Sequence, residues 1–132
     1  MRFLCVYKPA KEECGPPSQQ EMAEIGKLID EMMKEGTLLS TEGCQPSVKG
    51  ARVRMSRGKI TVVDGPFVET KELIGGYWIW SCASLDEAIG WAKKCPNPNP
   101  MEPESELEIR QLFELTDFKD VLPKTKARYQ RK

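Results

Sequence analysis

No histidine occurs anywhere in the 132 residues. Its absence removes Ser-His-Asp and Cys-His catalysis, His-ligated zinc or haem, and the usual general base near neutral pH. Any chemistry must rest on carboxylates, Lys, Arg, Tyr or Cys. Long apolar runs are also missing; none approaches the ~18 residues that a bilayer span requires, so no membrane span is expected. The opening Met1-Arg2-Phe3-Leu4-Cys5-Val6-Tyr7-Lys8 is too short for a signal peptide and has no small-residue cleavage site. It reads as a first strand. The five cysteines (Cys5, Cys14, Cys44, Cys82, Cys95) are odd in number and contain no C-x-x-C pair, which argues against a disulfide framework or a thiolate metal site. Reduced thiols in a cytoplasm fit best, and neither cofactor nor metal is expected. Cys5 and Cys82 sit inside apolar strand patterns, where a free cysteine behaves as a small hydrophobe.

Charge sums to zero but is unevenly spread. From Lys119 onward six basic residues face Asp120 alone, so the body up to Phe118 holds 14 basic and 19 acidic residues, a net of −5. An acidic body argues against direct nucleic-acid binding, which needs a basic face. The chain divides into a domain over residues 1–118 and a basic tail over 119–132 with no apolar periodicity to bury.

Two helices carry matching start signals. Ser18-Gln19-Gln20-Glu21 and Ser84-Leu85-Asp86-Glu87 read as capping boxes, in which Ser oxygen and Glu carboxylate satisfy reciprocal amides. Met22, Ile25, Ile29, Met32 and Met33 then recur at helical spacing up to Gly36; Leu85, Ala88, Ile89, Ala92 and Cys95 form a second stripe that ends at Pro96. Residues 2–8 predict a central strand covered on both faces. Leu38-Leu39 begins a short second strand. Ala51, Val53 and Met55 alternate with Arg52 and Arg54, and Arg57-Gly58 turns the chain into Ile60–Val63, a hairpin. Tyr77–Cys82 predicts a strand with Trp78, Trp80 and Cys82 on one face; residues 106–114 predict another with Leu107, Ile109 and Phe113 on one face. Trp78 and Trp80 read as core or interface aromatics in preference to ligand stackers. The order is β-α-β, a hairpin, then β-α-β. Two helices must share one face of such a sheet, which gives an α+β, ferredoxin-like antiparallel sheet with its other face open.

Asp64-Gly65-Pro66-Phe67 follows the hairpin, then come Glu69-Thr70-Lys71-Glu72 and Gly75-Gly76-Tyr77. By itself Asp-Gly-Pro means a tight turn. With Gly43-Cys44-Gln45-Pro46 upstream, and Ala88, Trp91-Ala92 and Glu108-Ile109-Arg110 downstream, the set resembles the DGPF group of the YCII-related proteins over residues 1 to 115. The resemblance implies a ferredoxin-like fold, homodimers of the dimeric α/β-barrel type and a small bacterial cytoplasmic protein, without a common reaction. Some YCII-related proteins are thought to use a His-Asp pair, and one branch removes halide from a chlorinated aromatic; a chain without histidine does not inherit that mechanism. The group also places Pro after the strand Arg, where this chain has Gln111.

Asp64 reads as a turn residue in preference to a general base. Glu69, Lys71 and Glu72 either line a polar cleft or are solvated loop charges, and the residues leave both open. Arg110 alternates with Leu107 and Ile109, so it faces the open side of the sheet, where it clamps an anion or pairs with a carboxylate across a dimer. With Phe67, these six make up the candidate ligand site. The functional expectation is a small-ligand-binding domain with a cleft on the open face. A histidine-free lyase or hydrolase using Asp64 or Glu69 with Arg110, and an interaction module linked to sigma-factor-type transcription control, are the alternatives.

Overall fold

A computed structural model describes residues 1–10, 18–67, 73–96 and 105–120. Helix α1 runs Gln19–Lys34. The Ser18 side chain accepts from the Glu21 amide at its start. At its end Gly36 adopts φ 69°, while the Gly36 and Thr37 amides donate back to the Met33 and Met32 carbonyls. That is a Schellman stop, and it needs a residue tolerant of positive φ where the sequence puts glycine. Helix α2 spans Leu85–Lys93. Ser84 accepts from the Glu87 amide, and the Glu87 carboxylate takes the amide of Ala83, one residue before the cap. Among the described residues no helix is long and apolar enough to cross a membrane.

The strands are β1 (Arg2–Lys8), β2 (Leu38–Gly43), β3 (Ala51–Ser56), β4 (Lys59–Asp64), β5 (Gly76–Ser81) and β6 (Glu106–Gln111). Four of them form an antiparallel sheet in the order β2-β5-β1-β6, and β3-β4 stand apart as a two-stranded hairpin. With the hairpin set aside, this is the ferredoxin-like β-α-β-β-α-β arrangement. In β5-β1-β6 the register sets Cys5 opposite both Trp78 and Ile109, and Leu4 opposite both Ile79 and Arg110. Opposed residues share a face, so the parity of each strand decides what meets the helices. Phe3, Cys5, Trp78 and Trp80 pack with Leu28 and Met32 of α1 and with Ala88 and Trp91 of α2.

Three details depart from the sequence reading. Strand β1 is buried on the helix side alone; Leu4 and Val6 on its other side are half-buried. Strand β6 ends at Gln111, so Phe113 lies beyond it and is exposed, its ring against Phe118. Strand β2 runs six residues, well past Leu38-Leu39, because the Ser40-Thr41-Glu42 backbone finds a ladder on β5 that no apolar pattern announces. The hairpin is as expected, with Arg57 at φ 51° and Gly58 at φ 80° closing a two-residue turn.

Candidate functional site on the open sheet face

The face turned away from the helices has an apolar floor. Val6 lies opposite Tyr77, and Leu4 opposite Ile79; all four are half-buried. On the β2 side the Ser40 and Tyr77 hydroxyls are hydrogen-bonded at 3.1 Å. On the β6 side runs a ladder of charge: Lys8 Nζ reaches Glu108 Oε1 at 2.9 Å, and Arg110 Nη1 lies 3.4 Å from Glu108 Oε2. The Lys8 hydrogen bond and the nearby positive charges hold the Glu108 carboxyl below its usual range, and the same bond pushes the Lys8 ammonium up. Arg2, also on this face, is committed elsewhere: its Nε donates to Glu114 at 2.8 Å and its Nη2 to the Phe113 carbonyl at 2.9 Å. The Arg110 side chain, 72% exposed, keeps most of its fork open to solvent.

The segment that begins Asp64-Gly65-Pro66-Phe67 is built differently, around close backbone approach. The Gly65 amide donates to the Gly50 carbonyl at 3.1 Å, and a Cβ on Gly65 would run into the Ser47 carbonyl. The Phe67 amide donates to Ser47 Oγ at 3.0 Å, and the Arg52 guanidinium stacks 3.6 Å above the Phe67 ring. Farther on, a Cβ on Gly75 would come within 2.6 Å of the Tyr7 ring, and one on Gly76 within 2.6 Å of the Glu42 carbonyl oxygen. These glycines and Phe67 have packing reasons of their own. They weld the base of the hairpin to the turn at residues 46–50 and to the edge of the sheet.

The sequence profile of the YCII-related domain matches residues 1–116. The chain belongs to the YCII-related family. It is 35% identical over 91 residues to an uncharacterised protein of Rhizobium meliloti (strain 1021), covering 69% of this chain and 70% of that one. Among solved structures it is similar to the 5-chloro-2-hydroxyhydroquinone dehydrochlorinase of Burkholderia phenoliruptrix AC1100 in complex with 2,5-dihydroxybenzoquinone. That likeness covers 86% of this chain and 95% of the other, at 13% identity and a TM-score of 0.41.

In this YCII-related domain the candidate site residues fall into three groups. Arg110 is on the open face of β6, as its parity predicts. Asp64, exposed, ends β4 opposite Ala51, and Phe67 stacks under Arg52. Glu69, Lys71 and Glu72 lie outside the described residues. Among the described residues no hydrogen bond or ion pair joins Asp64 to Arg110, which stand on the hairpin and on the far edge strand. No cluster of three or more His, Cys, Asp or Glu poised for a metal occurs among the described residues. Lys8, Glu108, Tyr77 and Ser40 were missed from sequence. Lys8 and Glu108 had a signal, since Glu108 shares the parity of Arg110 and Lys8 that of Leu4 and Val6. Ser40 had none, because a register shift between Leu38 and Ser40 resets its side.

Burial raises the thiol pKa of Cys5 to about 11 and of Cys95 to about 12. Burial is also the leading cause of the upward shift at Cys82. Thiolates are the nucleophilic form, so these three, Cys5 and Cys82 in the core and Cys95 packed against it, are poor nucleophiles.

Proposed function

We propose that the protein is a homodimeric small-ligand-binding domain whose cleft lies on the open sheet face and takes a small organic anion with an apolar body. One juxtaposition carries the reading. An apolar floor of Leu4, Val6, Tyr77 and Ile79 lies directly beside the solvent-facing guanidinium of Arg110. Floor and fork together suit an aromatic or branched carboxylate: the body covers half-exposed carbon, and the carboxylate accepts a charge-assisted pair of bonds. Homodimerisation follows from the same face, because a four-residue apolar floor in the middle of a sheet is surface that a second copy would remove from water. The lyase or hydrolase reading sets Asp64 or Glu69 with Arg110 on one substrate; within one chain Asp64 and Arg110 stand on separate elements, and Glu69 lies outside the described residues. The transcription-linked reading gains no observation.

The test is a panel of small aromatic and aliphatic carboxylates, with their amides as uncharged controls, titrated into the full chain and followed by NMR shifts of the Tyr77 and Ile79 signals. Carboxylates should bind and amides should not. Arg110→Lys should keep the fold and weaken binding by ~1–3 kcal/mol, since an ammonium cannot reproduce the planar fork. If Arg110→Lys binds like the parent, Arg110 is a bystander and the site lies elsewhere. If no carboxylate binds, the reading is wrong.

A further inference from the structure

The β3–β4 hairpin has two unlike faces. Register puts Val53 opposite Val62 and Met55 opposite Ile60, so these four share one side, and each is between 58% and 78% exposed. The other side carries Arg52, Arg54 and Lys59. Two strands alone are marginal in water, and four neighbouring apolar side chains on one face of them, with Ala51 and Asp64 at its end, are surface that wants a cover. Among the described residues none buries it: the hairpin forms its own sheet, and its base is tied to the turn at residues 46–50 by the Gly65–Gly50 and Phe67–Ser47 bonds.

We infer that the hairpin is an arm that clasps a second copy of this chain, its Val53-Met55-Ile60-Val62 face laid on the partner's open sheet face. Two observations choose that occupant. The first is apolar fit: the open face, with half-buried Leu4, Val6, Tyr77 and Ile79 at its centre, is an apolar surface on the side of the four-stranded sheet away from the helices, and it too presents four side chains. The second is charge. Residues 49–63 carry five cations and no acid, whereas residues 1–48 and 64–118 carry nine basic and nineteen acidic residues, a net of −10. Glu42 on β2 and Glu106 on β6 stand at the two edges of the open face, and long-range attraction to the acidic body draws in a basic arm whose Arg52, Arg54 and Lys59 lie on the side away from the contact. A basic arm alone would also suit nucleic acid, but the apolar side has no counterpart on a phosphate backbone. A two-fold axis makes the exchange reciprocal, so each ligand cleft is roofed by the other copy's arm, with the ligand's apolar body held between arm and floor.

The inference rests on the homodimer reading, and light scattering of the full chain separates the two. The native chain should run at twice the 15.0 kDa of a single copy. The pair Met55→Glu and Ile60→Glu should raise the dissociation constant by roughly 100-fold or more, because charge then enters an apolar contact. Emission from Trp78, Trp80 and Trp91 should stay native, since all three are buried in the body. Should that pair disturb emission, Met55→Ser with Ile60→Thr keeps the strands and removes the apolar face, and it too should weaken the dimer. A variant that remains folded and fully dimeric overturns the arm while leaving the homodimer standing. A native chain that is monomeric, or monomeric with bound nucleic acid, overturns both.

Discussion

The body and the hairpin are written in the same alphabet of alternation and end up with opposite burial. In β5, Trp78 and Trp80 alternate with Tyr77 and Ile79, and the tryptophans are buried against two helices. In β3 and β4, Val53, Met55, Ile60 and Val62 fall on alternate positions just as regularly, and no residue of the hairpin strands is buried. Period-two patterning therefore says which side chains share a face, and it is silent on whether that face is covered. Cover comes from the crossover helices, and a hairpin has none.

The widest gap between the two regions should appear on truncation. Trp80→Ala, at a side chain with no exposure, should cost ~3–5 kcal/mol in urea unfolding. Ile60→Ala should cost under ~1 kcal/mol at dilutions that keep copies apart, with more lost as concentration rises and the arm docks. Equal, concentration-independent losses would erase the distinction. Next in size is Gly65→Ala, where a methyl group meets the Ser47 carbonyl. About 1–3 kcal/mol is expected, and amide exchange in β3 and β4 should quicken while β1 and β5 stay protected.

A smaller effect concerns the thiols. In folded protein at pH 8, iodoacetamide should modify exposed Cys44 and spare Cys5, Cys82 and Cys95 until the chain unfolds. Peptide mapping that finds Cys5 labelled without unfolding would contradict the buried, pKa-raised picture. The smallest is the pH dependence of the ladder on β6. The Glu108 pKa is lowered, chiefly by the Lys8 hydrogen bond, so its contribution is present above the ordinary carboxylate pKa and lost as pH falls through the folded value. The Lys8 pKa is raised, so its share is full below the ordinary lysine pKa and lost as pH rises through the folded one. Both groups lie at the surface, so Glu108→Gln should flatten the acid limb of the stability curve only slightly. A steep change would mean that the pair is covered in the assembled protein.

Much of this was legible in the residues. Ser18, Ser84 and Gly36 mark helix ends through bonds made within a few residues, and Arg57-Gly58 closes the hairpin for the same reason. The parity of Arg110 was readable because a strand alternates strictly. Other features were not. The floor of the site joins Leu4 and Val6 to Tyr77 and Ile79, whose adjacency depends on β1 and β5 pairing across about seventy residues of chain, and local pattern carries no register over such distances. Gly65 reads as a turn residue and Gly75 as part of a motif ahead of a strand, whereas Gly65 is glycine because Ser47 passes close by and Gly75 because the Tyr7 ring does.

What the sequence alone determined is therefore mostly what short-range chemistry decides: the helices and their ends, the hairpin and its turn, the alternation of β1, β5 and β6, a chemistry without histidine and, by resemblance, the family. Tertiary structure alone decided that one alternating pattern became a core and another an uncovered arm. It also set Lys8, Glu108 and Arg110 into one ladder, and it parted Asp64 from Arg110. Those outcomes turn on which strands pair and which face the two helices close over, and these are properties of the packed sheet.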